Sequence, residues 1–332
     1  STPVSAAETG QLTNPPTSTE ELSSPESISG NEAASALNGL SVLAANGEAE
    51  VTTASELTGA LADSSISRIT LKGDIDIGST LTVNRTVTLD LNGCVLKMTG
   101  SDSVIKVEAD GDLTIQDRNT TTQHKFNPHC KYLTWYIDMW ELDNGGSEIV
   151  SGGVITGGGG DQSNGGGVLV AGGTLVMAGG SIVGCSAMSR GGGVCNNGTF
   201  IMSDGMIKGC TSPDGQYASG GGVRNSNQFT MTGGMIGDPD NENDASHVYN
   251  TSSQETTLTI SGNAKIYTDI TNVGILNADG GEIAGTMTND TNRYGTGTIT
   301  GSEGAAGSTK FQDKVTNNGT IRKGTFTNEV IN

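Results

Sequence analysis

Between Gly165 and Ser246 one phrase passes three times, and no other feature of the chain restricts its fold so strongly. Gly165-Gly166-Gly167-Val168, Gly191-Gly192-Gly193-Val194 and Gly220-Gly221-Gly222-Val223 open the copies, at offsets of 26 and 29 residues. Behind each opener comes a second phrase: Thr174-Leu-Val-Met177-Ala-Gly-Gly180-Ser-Ile182, Thr199-Phe-Ile-Met202-Ser-Asp-Gly205-Met-Ile207 and Gln228-Phe-Thr-Met231-Thr-Gly-Gly234-Met-Ile236. A unit this short cannot bury its own apolar face, so the copies must stack on one another.

Composition says what kind of stack this is. Of 332 residues 51 are Gly, while 33% are hydrophobic and only 4% aromatic; an ordinary chain carries about 7% Gly. The glycines have no G-X-Y period, which excludes collagen, and the β-branched triplets between them exclude simple disorder. Many short strands joined by tight turns remain, and that is an all-β repeat protein.

The strands can be followed from Ile69: Ile69-Thr-Leu71, Ile75-Asp-Ile77, Leu81-Thr-Val83, Val87-Thr-Leu89-Asp-Leu91, Val95-Leu-Lys-Met98, Val104-Ile-Lys-Val107 and Leu113-Thr-Ile115. Parallel neighbours in a flat sheet need long crossovers, and the gaps here are far too short for them. Three strands per turn of a coil of about 25 residues remove the difficulty, because each strand then pairs with its equivalent one coil later. The expected architecture is a single-stranded right-handed parallel β-helix of about ten coils over residues 51–332. Val51 to Leu61 predicts a short helix, N-capped by Ser55, that covers the open first coil with Leu57, Ala60 and Leu61.

Residues 1–50 are rich in Ser, Thr, Pro and Glu, with no Lys or Arg before Arg68, and read as a flexible spacer. The chain starts at Ser1, as it would behind a removed signal peptide, so secretion or a cell-surface location is expected. It stops at Asn332 in mid-pattern and without a polar cap, as a piece of a longer surface protein would. After Tyr249 the pattern loosens, although Leu258-Thr-Ile260 and Ala264-Lys-Ile266 still read as strands.

Seventeen basic against 36 acidic residues give a net charge of −19. This argues against nucleic acid and anionic membrane as partners, and equally against bare polyanionic glycans such as pectin unless a cation bridges them. No apolar window is long enough to insert into a membrane. Five cysteines do not make a disulfide framework. Stacking sets Cys185 beside Cys210, either as a disulfide or, as preferred here, as a ladder of buried thiols.

The Val-x-Leu-Asp-Leu-Asn-Gly phrase at 87–93, GGVITGG at 152–158 and the GGGVxN and GTFxMSGGxIxGC repeats together resemble the parallel β-helix proteins of gut-bacterial surfaces, which are pectate-lyase-like in fold. The resemblance covers about Val51 to Met235. It implies location and shape more than chemistry, since most members of that group have no assigned activity.

Two places break the rhythm. The first, 117–148, holds five of the chain's 13 aromatics, Phe126, Tyr132, Trp135, Tyr136 and Trp140, and two of its three histidines, His124 and His129. Insertions on a solenoid collect on one flank and often form its binding face. Aromatic rings beside carboxylates and hydroxyls suit sugars or a protein partner, so Trp135, Tyr136, Trp140, Tyr132, His124 and His129 are the expected ligand contacts. The competing expectation is that the aromatics form a private mini-core over the helix flank. Asp138, Glu141 and Asp143, with Asp117 and Asp161 nearby, are the carboxylates available to acid/base catalysis. Trp135-Tyr-Ile-Asp138 superficially matches the Trp-Ile-Asp-His phrase of pectate lyases, but Met139 stands where the His would be, and the match is taken as chance.

The second break, Asp238 to Asp244, alternates Asp238, Asp240, Glu242 and Asp244 as calcium loops do, but lacks the Gly at the sixth place and the Glu at the twelfth. No cofactor is expected, calcium being the one ion this loop could hold. His124, His129 and Cys130 lack a fourth zinc ligand at motif spacing. The function expected is therefore an adhesin-like binding module taking a carbohydrate or a host or bacterial surface protein on its insertion. A polysaccharide lyase or glycoside hydrolase is the alternative, and a structural spacer the next.

Overall fold

The computed structural model describes residues 47–132, 135–159, 164–212, 220–241, 244–251, 255–292, 295–301, 309–322, 325–326 and 330–332, without the side chains of 129–139. The spacer expected at 1–50 thus lies almost wholly outside the described residues, as do Asp161 and Glu242.

The chain winds as a parallel β-helix with three strands per coil. Arg68–Leu71, Ile75–Ile77 and Leu81–Val83 make the first full coil, and Thr86–Asp90, Val95–Met98 and Ile105–Val107 the second. Each strand pairs in parallel with its counterpart in the next coil, as Ile75 does with Leu96 and Leu81 with Ile105. Among the described residues the third face is a sheet of 10 strands, one from each successive coil. Thr174–Val183 and Thr199–Lys208 run without a break through the first and second faces, so hydrogen bonding merges these two into one sheet.

Strict register makes columns of like residues inside the coil. On the first face Ile115, Met177, Met202, Met231 and Ile260 succeed one another, beside Leu113, Leu175, Phe200, Phe229 and Leu258. Phe200 and Phe229 stack at 4.5 Å between centroids with their planes 10° apart, which the strand spacing imposes on aromatic neighbours in one column. The repeated Met and Phe of the sequence are therefore core.

The N-terminal end is closed as expected, with two refinements. Strand Glu48–Val51 pairs with Arg68–Leu71, so the coil pairing starts at Glu48, not Val51. Helix α1, Ala54–Ala62, buries Leu57, Ala60 and Leu61 but is capped by Thr53, not Ser55. The reason is reciprocal bonding: the Thr53 hydroxyl accepts from the Glu56 amide, and the Glu56 carboxylate accepts from the amides of Thr52 and Thr53. Counted from Ser55, the third helical position holds Thr58, which has no carboxylate to return. Those amide bonds also hold the Glu56 carboxyl below its ordinary range. At the other end Arg85 donates to the carbonyls of Ala60, Leu61 and Ile66, satisfying orphan acceptors with a cation.

Candidate functional site

The insertion is a small antiparallel sheet on the outside of the second face. Gln123–Tyr132 lies centrally, flanked by Trp135–Leu142 and Glu148–Ser151. Ile149-Val150 thus belongs to the insertion, pairing with Lys125 and His124, and does not return to the coil as the sequence reading assumed. The insertion runs to Ser151.

Carboxylates hold its base. Asp117 accepts from the amides of Gly93 and Gly153, 2.7 and 2.8 Å away, tying the outgoing and returning chain to the Asn92-Gly93 turn. Next to it the fully buried Asp90 accepts from the Arg118 side chain and from the amides of Asn92 and Arg118. Its negative charge and hydrogen bond hold the Arg118 guanidinium above its ordinary pKa. The Cys94 thiol beside them is pushed up by burial and by Asp74, Asp117 and Asp90, which removes it from thiolate chemistry. These acids are structural staples, and Asp117 has its oxygens committed to amides.

One aromatic plug fastens the sheet to the coil. Phe126 and Trp140, with ring centroids 6.4 Å apart, pack on Val95, Val150, Val154 and Val183 and are 0% and 1% exposed. Trp140 therefore corrects the expectation that it contacts ligand: its indole is spent on docking, and for Phe126 and Trp140 the mini-core alternative holds. The floor under it is Gly209, whose added Cβ would stand 2.2 Å from Trp140 Cγ and whose φ is +60°. The Trp140 amide donates to the Gly209 carbonyl at 3.1 Å. Lys208 places Nζ 4.2 Å from the ring centroid and pairs with Asp238 at 3.4 Å, both side chains being buried. The Gly-Cys dipeptide of the repeat so has two jobs, the thiol filling the core and the glycine seating the tryptophan.

The other expected residues are placed as follows. His124 is half-buried and its Nε2 lies 3.0 Å from the Gly93 carbonyl, part of the base. Tyr132 and Trp135 face each other in register where the two long strands join. The side chains of His129, Tyr132, Trp135, Tyr136 and Asp138 lie outside the described residues. Glu141 and Asp143 are exposed. Asp143 accepts from the Gly145 amide, so it serves the turn.

In the acidic loop the described carboxylates Asp238 and Asp244 turn to partners within the protein. Asp238 turns to Lys208, and Asp244, 4% exposed, accepts from the amides of Gly209 and Ser246. Burial raises the Asp244 carboxyl above its ordinary range, those bonds opposing the shift only in part. Among the described residues no group of three or more His, Cys, Asp or Glu side chains could hold a metal. Of the calcium candidates Asp238, Asp240, Glu242 and Asp244, the two buried ones, Asp238 and Asp244, are paired within the protein, and Glu242 lies outside the described residues.

Cys185 and Cys210 are both free thiols and fully buried. Burial, with Cys185 alongside, pushes the Cys210 thiol well up. A shallow groove of about 310 Å³ runs past the base of the insertion, lined by Asp117, Thr120, Ser181, Asp204, Met206 and Met235 among others.

What the sequence reading missed is a column of amides. Asn196, Asn225, Asn250, Asn272, Asn289 and Asn317 each donate from Nδ2 to the Oδ1 of the next, at 2.7 to 2.8 Å, and Asn332 accepts the last of these bonds. The signal was present as Val-Cys-Asn, Val-Arg-Asn, Val-Tyr-Asn, Ile-Thr-Asn, Met-Thr-Asn, Val-Thr-Asn and Val-Ile-Asn. It is hard to see because the intervals between its members are unequal.

Against this geometry stand the comparisons with known proteins. Residues 48–151 match the family model of a pectate lyase-like adhesive domain. The matched segment is less than a third of the chain, yet it runs from the first strand to the last residue of the inserted sheet. No curated protein and no solved structure matches the chain.

Proposed function

We propose that the chain is an extracellular binding module of adhesin type, secreted or held at a cell surface, whose inserted sheet carries the ligand site. The observation that carries this is the way the insertion is fixed: its Phe126 and Trp140 roots are sunk into the second face over Gly209, and its base is stapled by Asp117. Binding surfaces on loops work when a rigid scaffold positions them, because little ordering entropy is left to lose on association. The adhesive family model ends at the last residue of this sheet, which agrees with the sheet being an integral part of the adhesive unit. On this reading Trp135, Tyr136 and Tyr132 supply the aromatic contacts, with His129 beside them, and the partner is a glycan or a surface protein.

A glycan array and a panel of surface-protein extracts, each probed with wild type and with Trp135→Ala, test the reading. Binding that falls at least about tenfold in the variant, the size expected for an aromatic anchor, supports it. Wild-type binding that Trp135→Ala leaves intact, or none at all, overturns the assignment to this sheet. Release of reducing ends or unsaturated products from the same glycans would move the conclusion to the carbohydrate-cleaving alternative, with Asp138, Glu141 and Asp143 as the first acids to replace.

A further inference from the structure

On a chain with a net charge of −19, Arg190 and Arg224 lie near enough at the third face for the charge of one to act on the other. Arg224 is the middle residue of strand Val223–Asn225, between Cys195 and Tyr249 in the register, with Val223 and Asn225 turned into the core. Its Cζ lies 5.3 Å from the Tyr249 ring centroid. Arg190 approaches from the turn ahead of the Gly191 opener, where it bridges to Asn164. Lys106, in the same outward column, is neutralised by Glu108 at 2.7 Å, whereas Arg190 and Arg224 form no ion pair among the described residues.

Two polar atoms of this patch are buried without any hydrogen-bond partner, the Arg224 Nε donor and the Asn164 Oδ1 acceptor. Orphans of this kind are uncommon in folded proteins and call for a physical reason. Burial and the neighbouring Arg190 both lower the Arg224 pKa, the signature of two like charges held together. An arrangement that costs free energy in the empty protein is offset when a group of opposite charge arrives. The unmet needs are an anion for Arg224, near the charge of Arg190, and one hydroxyl donor for Asn164, while the Tyr249 ring already lies against Arg224. A planar carboxylate matches the guanidinium fork bidentately, and a sugar ring brings the hydroxyls with it.

We propose that Arg190 and Arg224, with Tyr249 and Asn164, form a second binding site that receives the carboxylate of an acidic sugar, on a different face from the inserted sheet. The overall negative charge limits this site to a short or terminal acidic residue, because an extended polyanion meets repulsion along the rest of the surface. The site therefore selects acidic sugars by local charge against the field of the whole molecule.

Isothermal titration of the full chain tests it, with a short oligogalacturonate and a sialylated trisaccharide as probes and the matching uncharged oligosaccharides as controls. Wild type is expected to bind at least one acidic probe and to lose affinity for it as salt is raised. Arg224→Gln and Arg190→Gln are expected to weaken that binding about 10- to 100-fold, the loss of a charge-assisted hydrogen bond. Arg224→Lys should recover part of it, charge being kept without the fork. Thermal unfolding of each variant guards against misfolding, and Trp135→Ala should leave the acidic probe bound, which separates this site from the one on the inserted sheet. Equal affinity in wild type and both Gln variants, equal affinity for charged and uncharged sugars, or no heat with either acidic probe overturns the proposal.

Discussion

One column of the core changes chemistry part-way along the protein. In the first three coils of the third face it is Val83, Val107 and Val170; from the next coil onward the same register holds Asn196, Asn225, Asn250, Asn272, Asn289 and Asn317. The valine column itself makes contact by burial alone, and its coils are fastened from outside, by α1 at their end and by the inserted sheet, whose plug reaches across to Lys208 and Gly209 in the first coil of the asparagine part. In the asparagine half the fastening runs through the core. Each amide reaches the next coil twice, as Asn225 does at Asn250 Oδ1 and at the Thr257 carbonyl. Stacked coils interact chiefly with nearest neighbours, so either device suffices locally. A plug concentrates stability in one deep contact, whereas a ladder distributes it over many equivalent ones.

The comparison breaks most readily at the plug. Trp140→Ala is expected to cost about 3–5 kcal/mol, the range for deleting a buried aromatic. Hydrogen exchange should show the loss confined to the inserted sheet and the second face beneath it, as far as Lys208 and Gly209, while the coils from Asn250 onward keep their protection. Gly209→Ala attacks the same contact from below, with a methyl inside the indole's space at positive φ, and should cost about 2–4 kcal/mol in urea unfolding. Gly73→Ala, with nothing near its added Cβ, is the control and should stay within about 0.5 kcal/mol. Equal effects at Gly209 and Gly73 would show that the plug is not seated as described.

In the ladder, Asn250→Ala removes the acceptor of Asn225 and the donor to Asn272 Oδ1 and to the Ile275 carbonyl. About 1–3 kcal/mol is expected, against less than about 1 kcal/mol for the partly exposed Asn317. Chemical denaturation of the two variants side by side measures the difference, and a larger effect at Asn317 would contradict a cooperative ladder. The smallest effect is a pH slope. Asp244 is raised above its ordinary value of 3.8 in the folded state, so the fold favours its protonated form. Its contribution is full below 3.8 and is lost as pH rises through the folded value. Asp244→Asn keeps an acceptor for Gly209 and Ser246 and should flatten unfolding free energy against pH over that window.

Period and composition were enough to show three strands per coil, the stacking of the three repeat phrases and the apolar side of α1, because solenoid contacts repeat at short sequence separation. The choice of Thr53 over Ser55 as N-cap was also present in the sequence, in the Thr-x-x-Glu spacing, and needed only the right rule. Two readings could not be completed there. Trp140 looked like a ligand contact because it stands among the aromatics and carboxylates gathered in the insertion, and nothing local says that its strand folds back over Gly209. Asp238 and Asp244 looked like ion ligands because their spacing is that of an oxygen-rich loop, and their true partners, Lys208 and the Gly209 amide, lie about one coil away.

The sequence by itself determined the coil: its period of stacking and its three short strands per turn, which depend on neighbours one repeat apart. Only the tertiary structure decided what the outward residues do. It sinks Trp140, pairs the acids of the second break, lines up the asparagines across unequal intervals, and brings Arg190 and Arg224 together. Those relations arise from which coil passes beside which, and a lateral contact between coils has no fixed sequence separation from which it could be read.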